Sequence, residues 1–225
     1  MARPLRVGVL LSGSGTNLQA LIDAIDAGRL DARITVVVSN DTAAHGLVRA
    51  TQHGIPTTIV PHGAFPTRAA FDAELVQALR AHDVELVVLA GFMRLVTPVL
   101  LGAFPSRVLN IHPALLPAFP GLHAERQALA YGARVTGVTV HFVDEHTDHG
   151  PIILQVAVPI LPDDDEARLH ARLQRQEHRA YPRAIQLVAE GRVRIEGRRV
   201  LIEGAPVEAD GALANPAFPA PRTSA

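Results

Sequence analysis

The stretch Leu5-Arg6-Val7-Gly8-Val9-Leu10-Leu11-Ser12-Gly13-Ser14-Gly15-Thr16-Asn17 decides the reading of this chain. A mostly apolar run, Leu5–Leu11, enters a turn of glycines and hydroxyls, and over Asn17–Ala27 the residues Leu18, Leu21, Ile22 and Ile25 fall on one face of a helix. Apolar residues without alternation suit a strand buried on both faces, as in a parallel sheet covered by helices. Ile34–Val38 and Glu85–Ala90 repeat the pattern. Between them Thr67–Ala81 places Phe71, Leu75 and Leu79 together behind Thr67, a suitable N-cap. This alternation implies right-handed crossovers and an α/β fold, doubly wound about a mostly parallel sheet.

Working outward, further strands are expected at Thr57–Val60, Val108–His112, Thr136–Val143 and Ile152–Val158. The acidic run Asp163–Glu166 is placed to cap a long helix with a solvated, arginine-rich face, which Pro182 breaks or kinks. Val193–Ile195 and Val200–Ile202 flank Gly197 as a terminal hairpin. Residues 1–203 read as one catalytic domain, and 204–225, dominated by small residues and proline, as a flexible tail.

Composition narrows the chemistry. With 21 basic and 22 acidic residues in 225, the net charge of −1 supplies no field for nucleic acid or an acidic membrane, so the partners are expected to be small molecules. Leu5–Leu11 is too short to span a bilayer and precedes no cleavage site, which makes a cytoplasmic location the default. All 21 basic residues are arginine and there is no cysteine. That excludes Schiff-base lysines, the Walker lysine, thiolate nucleophiles, disulfides and cysteine-ligated metals. Eleven histidines remain to choose among.

Four features carry candidate chemistry. The turn Ser12–Asn17 offers backbone N–H groups and hydroxyls at a helix start, which favours a phosphate. It lacks the Walker lysine, and Leu18 stands where a dinucleotide fingerprint has its third glycine, so a phosphomonoester fits better; an ordinary hydroxyl-capped turn is the bland reading. In Asn110-Ile111-His112-Pro113, residues two apart in a strand face one side, pairing an amide donor with an imidazole at the carboxyl edge; the alternative is a capped core histidine. The run His141–Gly150 holds several protonatable side chains on a loop, where a carboxylate would favour the imidazolium form of His112 by charge pairing. Its spacing matches no common zinc pattern and no metal is expected; a merely solvated loop is the rival. Arg94 follows a strand end where a guanidinium meets anions, while Arg68, Gln174, Gln176 and Glu177 read equally well as solvated.

Taken together, LLSGSGTNLQALID, VVLAGFMR, NIHPALLPAFPGLH, GVTVHFVDE, HGPIILQ and QEHRAYP, from Val7 to about Gly191, resemble the phosphoribosylglycinamide formyltransferase family. The resemblance implies a Rossmann-like fold on which the amine of glycinamide ribonucleotide attacks the formyl carbon of 10-formyltetrahydrofolate, a step of purine synthesis without a metal. It implies that Gly15, Thr16, Asn17, Gln174, Arg175, Gln176 and Glu177 hold the ribonucleotide. It assigns the folate to Arg68, Met93, Arg94, Leu95, Val96, Asn110, His141, Asp144, Glu145, His146, Thr147 and Asp148. The catalytic trio it implies is Asn110, His112 and Asp148. His149-Gly150 departs from the family's usual Gly-Gly, and Ala118-Phe119 from a basic residue followed by an aromatic. The resemblance leaves the enzyme as a monomer or homodimer.

Other folate formyl carriers share the trio. A formyltransferase acting on tRNA is expected to carry a further basic domain, and a formyltetrahydrofolate hydrolase an N-terminal regulatory domain ahead of the strand that begins here at Leu5. A non-catalytic phosphate sensor on the same fold would explain Ser12–Asn17 but not the trio.

Overall fold

A computed structural model describes residues 3–204, so most of the expected tail, 205–225, lies outside the described residues. Strand β1 (Leu5–Leu11) leads into helix α1 (Thr16–Asp26), followed by β2 (Ala32–Ser39), α2 (His45–Gln52) and β3 (Thr57–Ile59). Helix α3 (Arg68–Ala81), β4 (Leu86–Leu89), α4 (Pro98–Ala103) and β5 (Val108–His112) complete the parallel part. The chain continues through α5 (Ala124–Tyr131), β6 (Val135–Phe142), β7 (Ile152–Pro159), α6 (Glu166–Ala189) and a hairpin of β8 (Val193–Glu196) and β9 (Arg199–Ile202).

The central sheet has the order β3-β2-β1-β4-β5-β6-β7. The first five strands pair in parallel, as the mostly apolar runs of β1, β2 and β4 suggest, whereas β5–β6 and β6–β7 are antiparallel. Edge strand β7 accordingly alternates between buried and open positions, since one of its faces is solvated. The chain winds outward from β1 to β3 and then returns to β4 on the other side of β1. That reversal separates the helices. Leu18, Leu21, Leu169, Leu173, Tyr181 and Ile185 join one apolar cluster, bringing α1 and α6 onto one face, while Phe71, Leu75, Leu79 and Leu100 from α3 and α4 belong to a second. Because the crossovers diverge there, the loops after β1 and β4 border a crevice at the carboxyl edge, the usual ligand position in such sheets.

Thr67 caps α3 by accepting from the Ala70 N–H, and Asp165 caps α6 by accepting from the Arg168 N–H, as the hydroxyl and the acidic run suggested. Pro182 does not end α6, which runs through it to Ala189. The proline removes one hydrogen bond, but Tyr181, Ala184 and Ile185 around it are fully buried, and apolar packing of that face outweighs the loss. Helices α2, α4 and α5, of 8, 6 and 8 residues, have no counterpart in the sequence reading; stretches that short carry too little periodicity to be read.

Two buried hydroxyls fix the strand ends beneath the crevice. Tyr181 Oη lies 2.9 Å from the Leu89 carbonyl and 3.0 Å from that of Leu109, so one O–H is shared between the last residue of β4 and the neighbouring β5. Thr139 Oγ1 donates to the Ala114 carbonyl and accepts from the Leu116 N–H and Gln155 Nε2, clamping the segment after β5. Tyr181→Phe should therefore lower stability by about 1–3 kcal/mol, the cost of leaving buried acceptors unmatched. Urea unfolding checks this, and an unchanged midpoint would contradict the tie.

Candidate active site

A cavity of about 1190 Å³ opens along the carboxyl edge of the sheet. Its lining includes, from the α1–α6 face, Gly15, Thr16, Asn17, Gln174 and Glu177, and from the other side Arg68 at the start of α3 with Met93, Arg94, Leu95 and Val96 after β4. Asn110, His112 and Asp148, with His141, lie between them on β5, β6 and the loop that follows. Asp144, Glu145, His146 and Thr147 of that loop complete the second side.

The loop after β1 is shaped by close packing. Gly15 has φ 71°, and a Cβ there would stand 2.5 Å from the Gly46 Cα, so a glycine is needed for conformation and space alike. The carbonyls of this loop are already satisfied, because the Gly46 N–H donates to that of Gly13 and Arg49 Nε to that of Ser14. No side chain caps the start of α1. Its first-turn N–H groups are thus left for an anion. Ser12 is engaged elsewhere. Its Oγ donates to Asn40 Oδ1 and accepts from the Met93 N–H, joining the loops after β1 and β4.

Asp148 is the hub of the central group. Its Oδ2 accepts from the Gly121 N–H at 2.7 Å and lies 3.4 Å from His112 Nδ1, while its Oδ1 accepts from Asn110 Nδ2 at 3.4 Å and lies 3.7 Å from His141 Nε2. Burial alone would raise this carboxyl, but the His141 and His112 rings and the Gly121 amide outweigh it and hold it below the usual aspartate value. The backbone of Asp148 is left-handed, φ 51°, a conformation that aspartate tolerates better than most residues. His112 Nε2 donates to the Phe119 carbonyl at 2.8 Å, so both of its ring nitrogens face acceptors. His141 Nδ1 donates to the Phe142 carbonyl, leaving Nε2 to meet Asn110 Nδ2 at 3.3 Å.

Residues assigned from the sequence differ in how they meet the cavity. Arg175 and Gln176 do not line the cavity: Gln174 and Glu177 share a helix face at i, i+3, and the two residues between them rotate away, Arg175 into solvent and Gln176 onto Arg179. His141, assigned to the folate, is only 1% exposed and its polar side-chain contacts within the cavity wall go to Asn110 and Asp148. The sequence reading missed several residues of the site. Glu125 and His170 line the cavity, and the Phe119 carbonyl engages His112; no local motif marks any of them.

His149 is gripped on two sides, by Asp144 Oδ2 at 2.9 Å from its Nδ1 and by Arg198 of the hairpin turn, whose Nη2 donates to the His149 carbonyl at 2.6 Å. Asp144, His146 and His149 have ligand atoms within 4.8 Å of one another, but the Arg198 guanidinium sits 3.1 Å from both His149 ring nitrogens, a cation where a metal ion would compete.

A family model described as formyl transferase matches residues 5–185. The chain belongs to that family. This formyl transferase is 43% identical over 200 residues to the phosphoribosylglycinamide formyltransferase of Escherichia coli strain K12, covering 89% of this chain and 94% of that one. It is 50% identical over 191 residues to the trifunctional purine biosynthetic protein adenosine-3 of Drosophila melanogaster, a match that takes in 84% of this chain but only 14% of that longer protein. Among solved structures, glycinamide ribonucleotide transformylase 1 from Symbiobacterium toebii superposes with a TM-score of 0.88 at 54% identity, over 90% of this chain and 95% of that one. Among the described residues no helix is long and apolar enough to cross a membrane.

The carboxyl of Asp148 should titrate below the ordinary aspartate value, followed by its carbon resonance. A depressed folded value means that its contribution to stability is full above the unfolded value and is lost as pH falls through the lower, folded one. A midpoint above the ordinary aspartate value would contradict the arrangement of donors around it.

Proposed function

We propose that this formyl transferase moves the formyl group of 10-formyltetrahydrofolate to the amine of glycinamide ribonucleotide, in purine synthesis. The observation that carries the reading is a single cavity with different chemistry on its two sides and the trio Asn110, His112 and Asp148 between them. Uncapped N–H groups of α1 and the Thr16 hydroxyl suit a phosphate. On the opposite side Met93 and Leu95, 62% and 52% exposed, offer apolar surface to a flat heterocycle, with Arg68 and Arg94 in the same lining for an anionic tail. That donor set fits a reduced folate, whose role once bound is to supply the formyl carbon.

The residues then have separate roles. Asn110 Nδ2 and a His112 N–H are the donors available to an oxygen that gains negative charge as an amine adds to a formyl carbon. In the arrangement described, His112 Nε2 is held by the Phe119 carbonyl, so substrate must replace that carbonyl before the ring can reach the reacting oxygen. An imidazole donating at both nitrogens carries positive charge, and the ionised Asp148 beside Nδ1 offsets it. As the bond to the folate nitrogen breaks, His112 gives its proton to that nitrogen, and the proton shed by the attacking amine replaces it, directly or through water. The nucleophile belongs to the substrate, so no covalent protein intermediate is needed. The reading takes the enzyme as cytoplasmic, a monomer or homodimer, acting on small molecules.

Incubation of the purified protein with 10-formyltetrahydrofolate should yield folate product only when glycinamide ribonucleotide is present. Release without the ribonucleotide would indicate a hydrolase, and no release a binding protein. His112→Ala should lower turnover by about 10²–10⁴-fold with little change in ribonucleotide affinity. Asn110→Ala should cost about 3 kcal/mol in transition-state stabilisation, read from kcat/KM. Near-normal turnover in either variant would remove the role assigned to that residue.

A further inference from the structure

Helix α6 presents His170, Gln174 and Glu177 at i, i+4 and i+7, a spacing that sets them along one stripe, and all three line the cavity. Each meets one partner from a helix start. Gln174 Nε2 donates to Thr16 Oγ1 at 3.2 Å, Asn17 Nδ2 donates to Glu177 Oε2 at 3.0 Å, and His170 Nδ1 lies 2.8 Å from Glu125 Oε1. The first two pairs belong to the ribonucleotide side already described. The third joins it to α5, where Glu125 occupies the first turn.

Glu125 is 7% exposed and Glu177 8%, a degree of burial that carboxylates rarely reach unless they are paired. Each is only half satisfied. His170 takes one oxygen of Glu125 and Asn17 one oxygen of Glu177; Glu125 Oε2 and Glu177 Oε1 have no hydrogen-bond partner among the described residues. The two groups also sense each other, since burial raises the Glu177 carboxyl and the charge of Glu125 adds to that effect, against the opposing influence of Asn17 and His170. Two open acceptors on the wall of one cavity call for a ligand with two neighbouring donors.

We propose that Glu125, held in place by His170, is a second binding carboxylate of the ribonucleotide side, accepting one hydroxyl of a vicinal diol whose other hydroxyl is accepted by Glu177. This deepens the reading above and rests on it, because the diol is the ribose of the ribonucleotide. A neutral diol suits the pair better than a cationic amine, since His170 already stands against one of the two carboxylates. The attacking amine, moreover, has to reach Asn110 and His112 rather than this wall. Glu125 is thus a residue that touches substrate, and His170 a positioning residue that acts through it.

The test compares glycinamide ribonucleotide with its 2′-deoxy and 3′-deoxy counterparts on the wild-type protein and on Glu125→Gln, Glu125→Ala and His170→Ala. A hydrogen bond to a charged acceptor corresponds to roughly ten- to hundredfold in binding, so the wild type should lose about that much in kcat/KM on each deoxy compound. Glu125→Ala should raise the KM for the ribonucleotide by roughly ten- to hundredfold while leaving the KM for folate unchanged, and should accept one of the two deoxy compounds as well as it accepts the ribonucleotide. His170→Ala should shift in the same direction by less. Should Glu125→Ala fold poorly, seen as a changed folate KM or circular dichroism, the near-isosteric Glu125→Gln decides the matter by the same loss of discrimination. Full wild-type discrimination against both deoxy compounds in the Glu125 variants would overturn the assignment. A wild-type protein without ribonucleotide-dependent turnover would instead overturn the reading on which it rests, and the assignment with it.

Discussion

The buried carboxylate of Asp148 is the constraint on which the site depends. It gathers groups from separate parts of the chain: the Gly121 amide, the His112 and His141 rings, and the Asn110 side chain. Desolvation works against such a charge, but the two rings and the Gly121 amide outweigh it and hold the carboxyl below the usual aspartate value. The group is therefore cooperative in a physical sense. Removing any donor weakens the field that holds the others, and removing the carboxylate leaves two buried imidazoles and an amide without a common partner.

That hub can exist because of where the sheet reverses. The sites on β5 and β6 stand next to one another through antiparallel pairing, in which Asn110 is opposite His141. The reversal beside β1 opens the crevice and sends α1 and α6 to one face and α3 and α4 to the other. One cavity consequently has a polar side rich in helix-start donors and carboxylates, and a second side with exposed methionine, leucine and arginine. Tyr181 and Thr139 hold the strand ends and the following loop in register beneath it. The proposed reaction uses this division, with one substrate on each side.

Much of this was legible in the residues. A mostly apolar run ending at a glycine turn placed β1 to the residue, β5 was placed as well, and alternation within β5 put Asn110 and His112 on one side. Hydroxyl and acidic caps at Thr67 and Asp165 were readable for the same local reason. What stayed hidden depends on contacts distant in sequence. Nothing near Glu125 announces His170, 45 residues away, and nothing near His112 announces that a backbone carbonyl would occupy its Nε2. His149 reads in the sequence as a departure within its own loop, whereas it also meets Arg198, 49 residues on, tying the terminal hairpin to the loop that carries Asp148. Pro182 misled because the rule against proline in helices is local, and burial of the surrounding face overrode it.

In the proposed reaction His112 and Asp148 act as one unit, and a double-mutant cycle on turnover distinguishes this from independent action. His112→Asn, Asp148→Asn and the double variant would be compared with the wild type under saturating concentrations of both substrates. If the carboxylate works through the ring, the double variant should be about as slow as the slower single variant, with strongly non-additive effects. Effects that multiply independently would contradict the account.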